Sequence, residues 1–520
     1  LTLNTQGEAS FNGTLTLNAA TSLTQQGPGG IRLDDGFARQ GTGALMLRAT
    51  ASGTPLTYAG PGDSDWRLTA PLEGQLSVDG ISLGQFVGFD TLVALGAGTH
   101  QLTGTDQDNQ WRIGGNRSGS LGSLRFSGMT HLNGGAGADR FELARNSDSS
   151  VLTYDGGAGE DTLVNNWLPY NAWHLTGAGQ GSVTGAQEAL RVNGFSQMER
   201  LQGYDDRLYG PAVDNQWAVT GTNAGTLNGQ LSFSGMAKLI GNSERDRFLF
   251  SDGKFITEGV SGGAGSDELI AAASLWSVSL EGAGSFTYPS SSVKQVFSEF
   301  ETLSTTLAGT LTGPVEGGTW LIGGNNSVSL GGLTFNGMTS LQGNSGADRF
   351  ELQRDSDSSV LSLDGGEGND ALVNNWLPFN FWYLTGPKQG YVTGSQGAMW
   401  VEAFSNIEYL QGMGDRLYGG AQAHQWRIGA RRSSLNGLLS FSGMSEVFGG
   451  SGNDRFVFSP GAFIYDGVTG GAGLDELIAD GVSWTSTGPG RGYFTYNGNS
   501  AQQVFRDIEV LGGSTQEGIP

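Results

Sequence analysis

The chain has 520 residues, a formal net charge of −23, no cysteine and 89 glycines. That charge opposes nucleic acid and anionic membrane surfaces, both of which attract basic proteins. The missing cysteine excludes disulfides, thiolate metal sites and cysteine nucleophiles.

Glycine stands at about two and a half times its usual share, yet without the three-residue period of collagen. Hydrophobic residues make up 37%, enough for a folded core. No apolar run approaches a membrane span. The opening LTLNTQGEASFNG shows no basic-then-apolar leader. It reads as the middle of a repeat array, so the sequence is expected to be a piece of a longer chain.

Residues 1–65 read as short alternating strands and are expected to form N-terminal β-helix coils, followed by a degenerate repeat at 66–110. Four clearer units follow at 111–216, 217–319, 320–425 and 426–520, opening at Trp111, Trp217, Trp320 and Trp426. The first matches the third, and the second the fourth, at an offset of 209 residues. Such periodicity marks a solenoid, in which each unit buries its apolar face against its neighbours. Repetition also argues against one unique catalytic centre.

Within a unit, a strand ends at Met129, Met236, Met338 or Met444. Asp-Arg-Phe then starts at Asp139, Asp246, Asp348 or Asp454, and a second Gly-rich turn ends at Asp161, Asp267, Asp370 or Asp475. The two acids of a unit are 21 or 22 residues apart. That interval predicts one coil of an all-β parallel β-helix, with Phe141, Leu143, Leu163 and Val164 inward and like residues stacked about 4.8 Å apart. A uniform step of this size gives about 24 coils in a rod of order 110 Å. Helix periodicity is almost absent.

The turns GGAGAD (134–139), GGAGED (156–161), GGAGSD (262–267), GGEGND (365–370), GGSGND (449–454) and GGAGLD (470–475) are similar to the calcium repeat of RTX proteins, with departures at GNSERD (241–246) and GNSGAD (343–348). Glycine carbonyls and a hard carboxylate oxygen are calcium chemistry. Asp139, Asp161, Asp348, Asp370, Asp454 and Asp475 are therefore candidate Ca²⁺ ligands. A purely structural reading stands beside it, in which each Asp caps a Gly corner and pairs with its neighbouring Arg, as in Asp139–Arg140. RNSDSS (145–150) and RDSDSS (354–359) read as solvated loops.

A second constellation is aromatic. NNWLPYNAWHLTG at 165–177 recurs as NNWLPFNFWYLTG at 374–386. Trp167, Tyr170 and Trp173, matched by Trp376, Phe379 and Trp382, are candidate carbohydrate-stacking residues. Aromatic faces meet the C–H side of sugars and amides meet their hydroxyls. The alternative is a bulky loop packed on the solenoid. Trp111, Trp217, Trp320 and Trp426 read as structural. His131, His174 and His424 vary among copies, as surface residues do.

The motifs W-x-I-x-G, SFSGM, GGxGxDRF, GGxGxDxL and F-x-x-I-E-x-L together resemble the repeat regions of large secreted bacterial adhesins. These are filamentous-haemagglutinin-like exoproteins exported by two-partner secretion, in particular biofilm-matrix adhesins of the cyclic-di-GMP-regulated kind. The resemblance implies a right-handed parallel β-helix stalk at the bacterial surface or in the biofilm matrix. It also implies a two-partner outer-membrane transporter and attachment to exopolysaccharide, cell-surface glycans or other copies of the chain. A non-enzymatic adhesin segment is the expected function. The alternatives are a mechanical spacer presenting a distal domain, and a β-helical polysaccharide lyase or hydrolase, which needs a unique carboxylate cluster.

Overall fold

The computed structural model describes residues 1–144, 153–185, 191–279, 282–324, 326–353, 362–376, 378–394 and 400–513. All regular structure among them is β, and no helix occurs. Two compact units emerge, Leu1–Asp267 and Glu268–Pro520.

In the first unit, Thr91–Ala94, His100–Thr103 and Gln110–Gly115 are succeeded by Leu124–Ser127, His131–Asn133 and Arg140–Leu143. Each strand of the second set lies parallel beside its counterpart in the first. The chain therefore winds, and equivalent strands form parallel columns. One column aligns Trp111, Phe141, Leu163, Leu201 and Phe233. The second unit repeats it with Trp320, Phe350, Leu372, Leu410 and Phe441. All ten side chains are buried. Full burial of such a side chain stabilises by about 1.5–3 kcal/mol, so these columns are the core. Leu143 and Val164 are buried as well.

The expected uniform coil does not hold. The step is 22 residues from Phe141 to Leu163 but 38 from Leu163 to Leu201. The longer coils carry a three-stranded antiparallel meander that opens on a tryptophan. Gln110–Gly115, Ser118–Leu121 and Leu124–Ser127 are one such meander. Others open at Trp66, Trp173, Trp217, Trp276, Trp320, Trp382, Trp426 and Trp484. Longer coils mean fewer of them, so the count of 24 is also too high.

The meanders are anchored by aromatic packing. Trp111 stacks on Phe141 of the next coil (5.5 Å between centroids, 8° between planes) and meets Phe126 of its own meander edge-on at 6.0 Å. Trp217 repeats this with Phe248 and Phe233, and Trp426 with Phe456 and Phe441. The Asp-Arg-Phe step thus supplies the ring beneath each of these tryptophans.

Glycine is required where coils touch. Gly159 has φ 142°, and a Cβ there would lie 1.8 Å from the carbonyl oxygen of Gly137 one coil away. Only glycine combines this backbone angle with so close an approach.

Candidate functional site

The Gly-rich turns come first, because their aspartates form ladders. Asn109 N donates to Asp139 Oδ1 (2.8 Å), Asp139 N to Asp161 Oδ1 (2.7 Å), and Asp161 N to Glu199 Oε2 (2.7 Å). In the second unit Asp348 N donates to Asp370 Oδ1 and Asp370 N to Glu408 Oε2, both at 2.7 Å. His424, Asp454, Asp475 and Glu509 make a third ladder. Each carboxylate closes a turn by accepting an amide from the coil before it, except Asp348, whose donor from that coil is Trp320 Nε1 (2.8 Å). Glu199, Glu408 and Glu509 are the acids of the F-x-x-x-E-x-L strands, which gives that motif its physical role.

All six candidate calcium ligands are at most 1% exposed. The Oδ2 atoms of Asp139, Asp161, Asp370, Asp454 and Asp475 are buried without a hydrogen-bond partner. Burial, the largest cause, pushes the carboxyl pKa up to about 6 at Asp139 and Asp370 and about 7 at Asp454. A calcium shell takes six to eight oxygens. Among the described residues no three acidic or histidine side chains converge to hold a metal ion. The geometry accounts for these aspartates as turn-closing acceptors. The neighbouring-Arg pairing is not how they do it: Arg140 lies 4.0 Å from Glu142, while Asp139 points inward. RNSDSS and RDSDSS lie outside the described residues.

The aromatic motif divides in two. Trp173 and Trp382 are fully buried and cannot stack on a sugar. They are core residues that open meanders at Ala172–Gly177 and Phe381–Gly386, equivalent to Trp111. The sequence carried that signal, since Trp173-His-Leu and Trp382-Tyr-Leu follow the same Trp-x-aliphatic alternation as Trp111-Arg-Ile. The other four project outward, with exposures of 41% for Trp167, 50% for Tyr170, 44% for Trp376 and 57% for Phe379.

What holds the loop is a residue the motif does not contain. Asp206, fully buried, accepts from Asn165 Nδ2 (2.9 Å), Asn171 N (2.8 Å), Asn171 Nδ2 (3.0 Å) and Trp173 Nε1 (2.9 Å). Asp415 does the same for Asn374 (2.8 Å), Asn380 N (2.9 Å) and Trp382 Nε1 (2.9 Å). Both acids precede Arg-Leu-Tyr-Gly, 209 residues apart, and that recurrence was the available clue. Burial raises the Asp206 pKa even against its donors.

The loop backbone is bent to match. Tyr170 and Phe379 take left-handed angles, φ 66° and 67°. Asn165 Oδ1 accepts from Trp167 N at 3.3 Å, an Asx turn. Asn165 and Asn171 are thereby consumed inside the loop. The amides left outside are Asn166, bonded to Gln202 (3.2 Å), and Asn375, bonded to Gln411 (2.8 Å). Each loop offers two aromatic side chains beside an amide pair.

Compared with protein-family models and with curated proteins, the chain matches none.

Proposed function

We propose that the chain is a non-enzymatic segment of a secreted bacterial adhesin, a right-handed β-solenoid that holds polysaccharide through the Trp167–Tyr170 and Trp376–Phe379 loops. One observation carries this reading. The same loop occurs twice, each time fixed by a buried aspartate so that two aromatic side chains and an amide pair face solvent. Exposing large rings on a fixed turn forgoes burial that would stabilise the fold. A rigid aromatic–amide surface is the equipment for the C–H face and hydroxyls of a pyranose. Two modest sites on one chain gain by avidity on a polymer. Export by a two-partner outer-membrane transporter, a place in the biofilm matrix and attachment to exopolysaccharide or cell-surface glycan belong to the same reading. So does self-association.

Glycan-array binding tests it. The unaltered chain is expected to retain matrix polysaccharides, Trp167→Ala or Trp376→Ala to weaken retention, and the double variant to abolish it. Retention unchanged in the double variant refutes the assignment of these loops. Absence of any glycan binding leaves the spacer reading, and release of shortened polysaccharide supports the enzyme reading.

A further inference from the structure

The two loops do not sit in the same chemical surroundings. In the second unit, Phe379 opens onto a cleft of about 640 Å³ lined also by Met413, Met444, Tyr465 and Asp466. Tyr465 is 79% exposed, the most of any large hydrophobic side chain described. In the first unit, Thr257 stands where Tyr465 is and Glu258 where Asp466 is.

The acids at that position are handled differently. Glu258 is ion-paired with Arg207 at 3.9 Å. The equivalent of Arg207 is Arg416, aligned across the strands with Glu446, where the first unit has Lys238. Glu446 draws Arg416 to itself at 3.1 Å and also holds Arg506 at 3.0 Å. Arg506 reaches the carbonyl oxygen of Asp466 at 3.3 Å. The Asp466 carboxylate itself has neither an ion pair nor a hydrogen bond. Where the first unit has Lys238, Glu446 thus takes the arginine whose counterpart pairs with Glu258, and the Asp466 carboxylate is left unpaired beside two aromatic rings and two thioethers.

We infer that the Phe379–Tyr465–Asp466 cleft is a subsite for an ammonium-bearing sugar, such as a glucosamine unit of a partly N-deacetylated aminosugar polymer. The inference rests on the saccharide reading of the same loop and adds the charge of the ligand. Ring faces attract cations, and an adjacent carboxylate supplies the counter-charge. Methionine fills irregular contacts with little directional demand. The net charge of −23 repels anionic polymers and draws in cationic ones.

The test is calorimetric titration of the full chain, at mildly acidic pH, with a glucosamine hexamer and with its fully N-acetylated counterpart. The glucosamine hexamer should bind about two- to fivefold more tightly, the range for an exposed ion pair with a cation–π contact. Asp466→Asn should erase that preference without weakening the acetylated hexamer. Tyr465→Thr, which installs the residue of the other copy, should weaken glucosamine binding similarly. Glu73→Gln, which removes an exposed charge elsewhere, should leave both affinities unchanged. Circular dichroism checks that each variant is folded. Equal affinity for the two hexamers, or a preference that survives Asp466→Asn, overturns the inference while the saccharide reading stands. Binding of neither hexamer overturns the inference and counts against the saccharide reading with it.

Discussion

Removing Asp206 should free the Trp167 loop without unfolding the solenoid. Asp206→Ala takes the acceptor from Asn165 Nδ2, Asn171 Nδ2, Asn171 N and Trp173 Nε1, and all three residues are buried there. A buried donor left unpaired costs about 1–3 kcal/mol, and such losses within one network are not additive. Against them stands the relief of a desolvated carboxylate, since burial is what raises the Asp206 pKa. The net cost is about 3 kcal/mol, which is about a hundredfold in a local opening equilibrium. Hydrogen exchange reads this directly. The Asn171 amide, which donates to Asp206 Oδ1 at 2.8 Å, should exchange about a hundredfold faster. The Asn380 amide, held by Asp415, should not change. Asp206→Asn keeps the shape and loses only part of the acceptor set, so it should cost about half as much. Exchange at Asn171 that stays within about threefold of the unaltered chain would refute the hub assignment. So would acceleration spread evenly over all strands, because coils couple chiefly to their nearest neighbours.

Trp173→Ala should destabilise by about 3–5 kcal/mol in denaturant unfolding, while Trp167→Ala should stay within about 0.5 kcal/mol, because only the first ring is in the core; equal costs would contradict the division of the motif. Burial raises the pKa of Asp139, Asp161, Asp370, Asp454 and Asp475, and these carboxyls should make the fold acid-favoured. Asp454, with its pKa pushed up from 3.8 to about 7, binds its proton more tightly folded than unfolded, so its contribution is fully present below about pH 4 and is lost as pH rises towards 7. Burial lowers the pKa of His131, His174 and His424, which opposes this as acid is added. The measurement is therefore the difference between Asp454→Asn and the unaltered chain across pH 4–8, expected to shift in favour of the variant as pH rises; a flat difference would sink the assignment. Millimolar Ca²⁺ against EDTA should leave the melting midpoint unchanged if the turn aspartates act only as amide acceptors. A rise of several degrees would show that their inward oxygens and the turn carbonyls hold the ion.

The second half of the aromatic motif shows where sequence reading stopped. Trp167 and Trp173 look alike as letters beside asparagines and a proline. Their difference is one of direction, with Trp173 in phase with Leu175 on an inward strand face and Trp167 in a turn bent by Asn165. The phase was readable and the bend was not, because it depends on Asp206, more than thirty residues away in the next coil.

Parallel columns and all-β character followed from the chain alone, since the spacing of Phe141 from Leu163, and of each Asp-Arg-Phe from the next acidic turn, is itself the winding of the strands. Composition likewise excluded thiol chemistry, because a missing side chain needs no geometry. Contacts between coils decided the rest. They made coils unequal by folding meanders into some of them, turned the aspartates inward onto amides, and left the Asp466 carboxylate unpaired by giving Arg416 to Glu446. Those outcomes depend on which side chains meet after the chain has wound, and a linear repeat fixes the spacing of residues but not the partners they find.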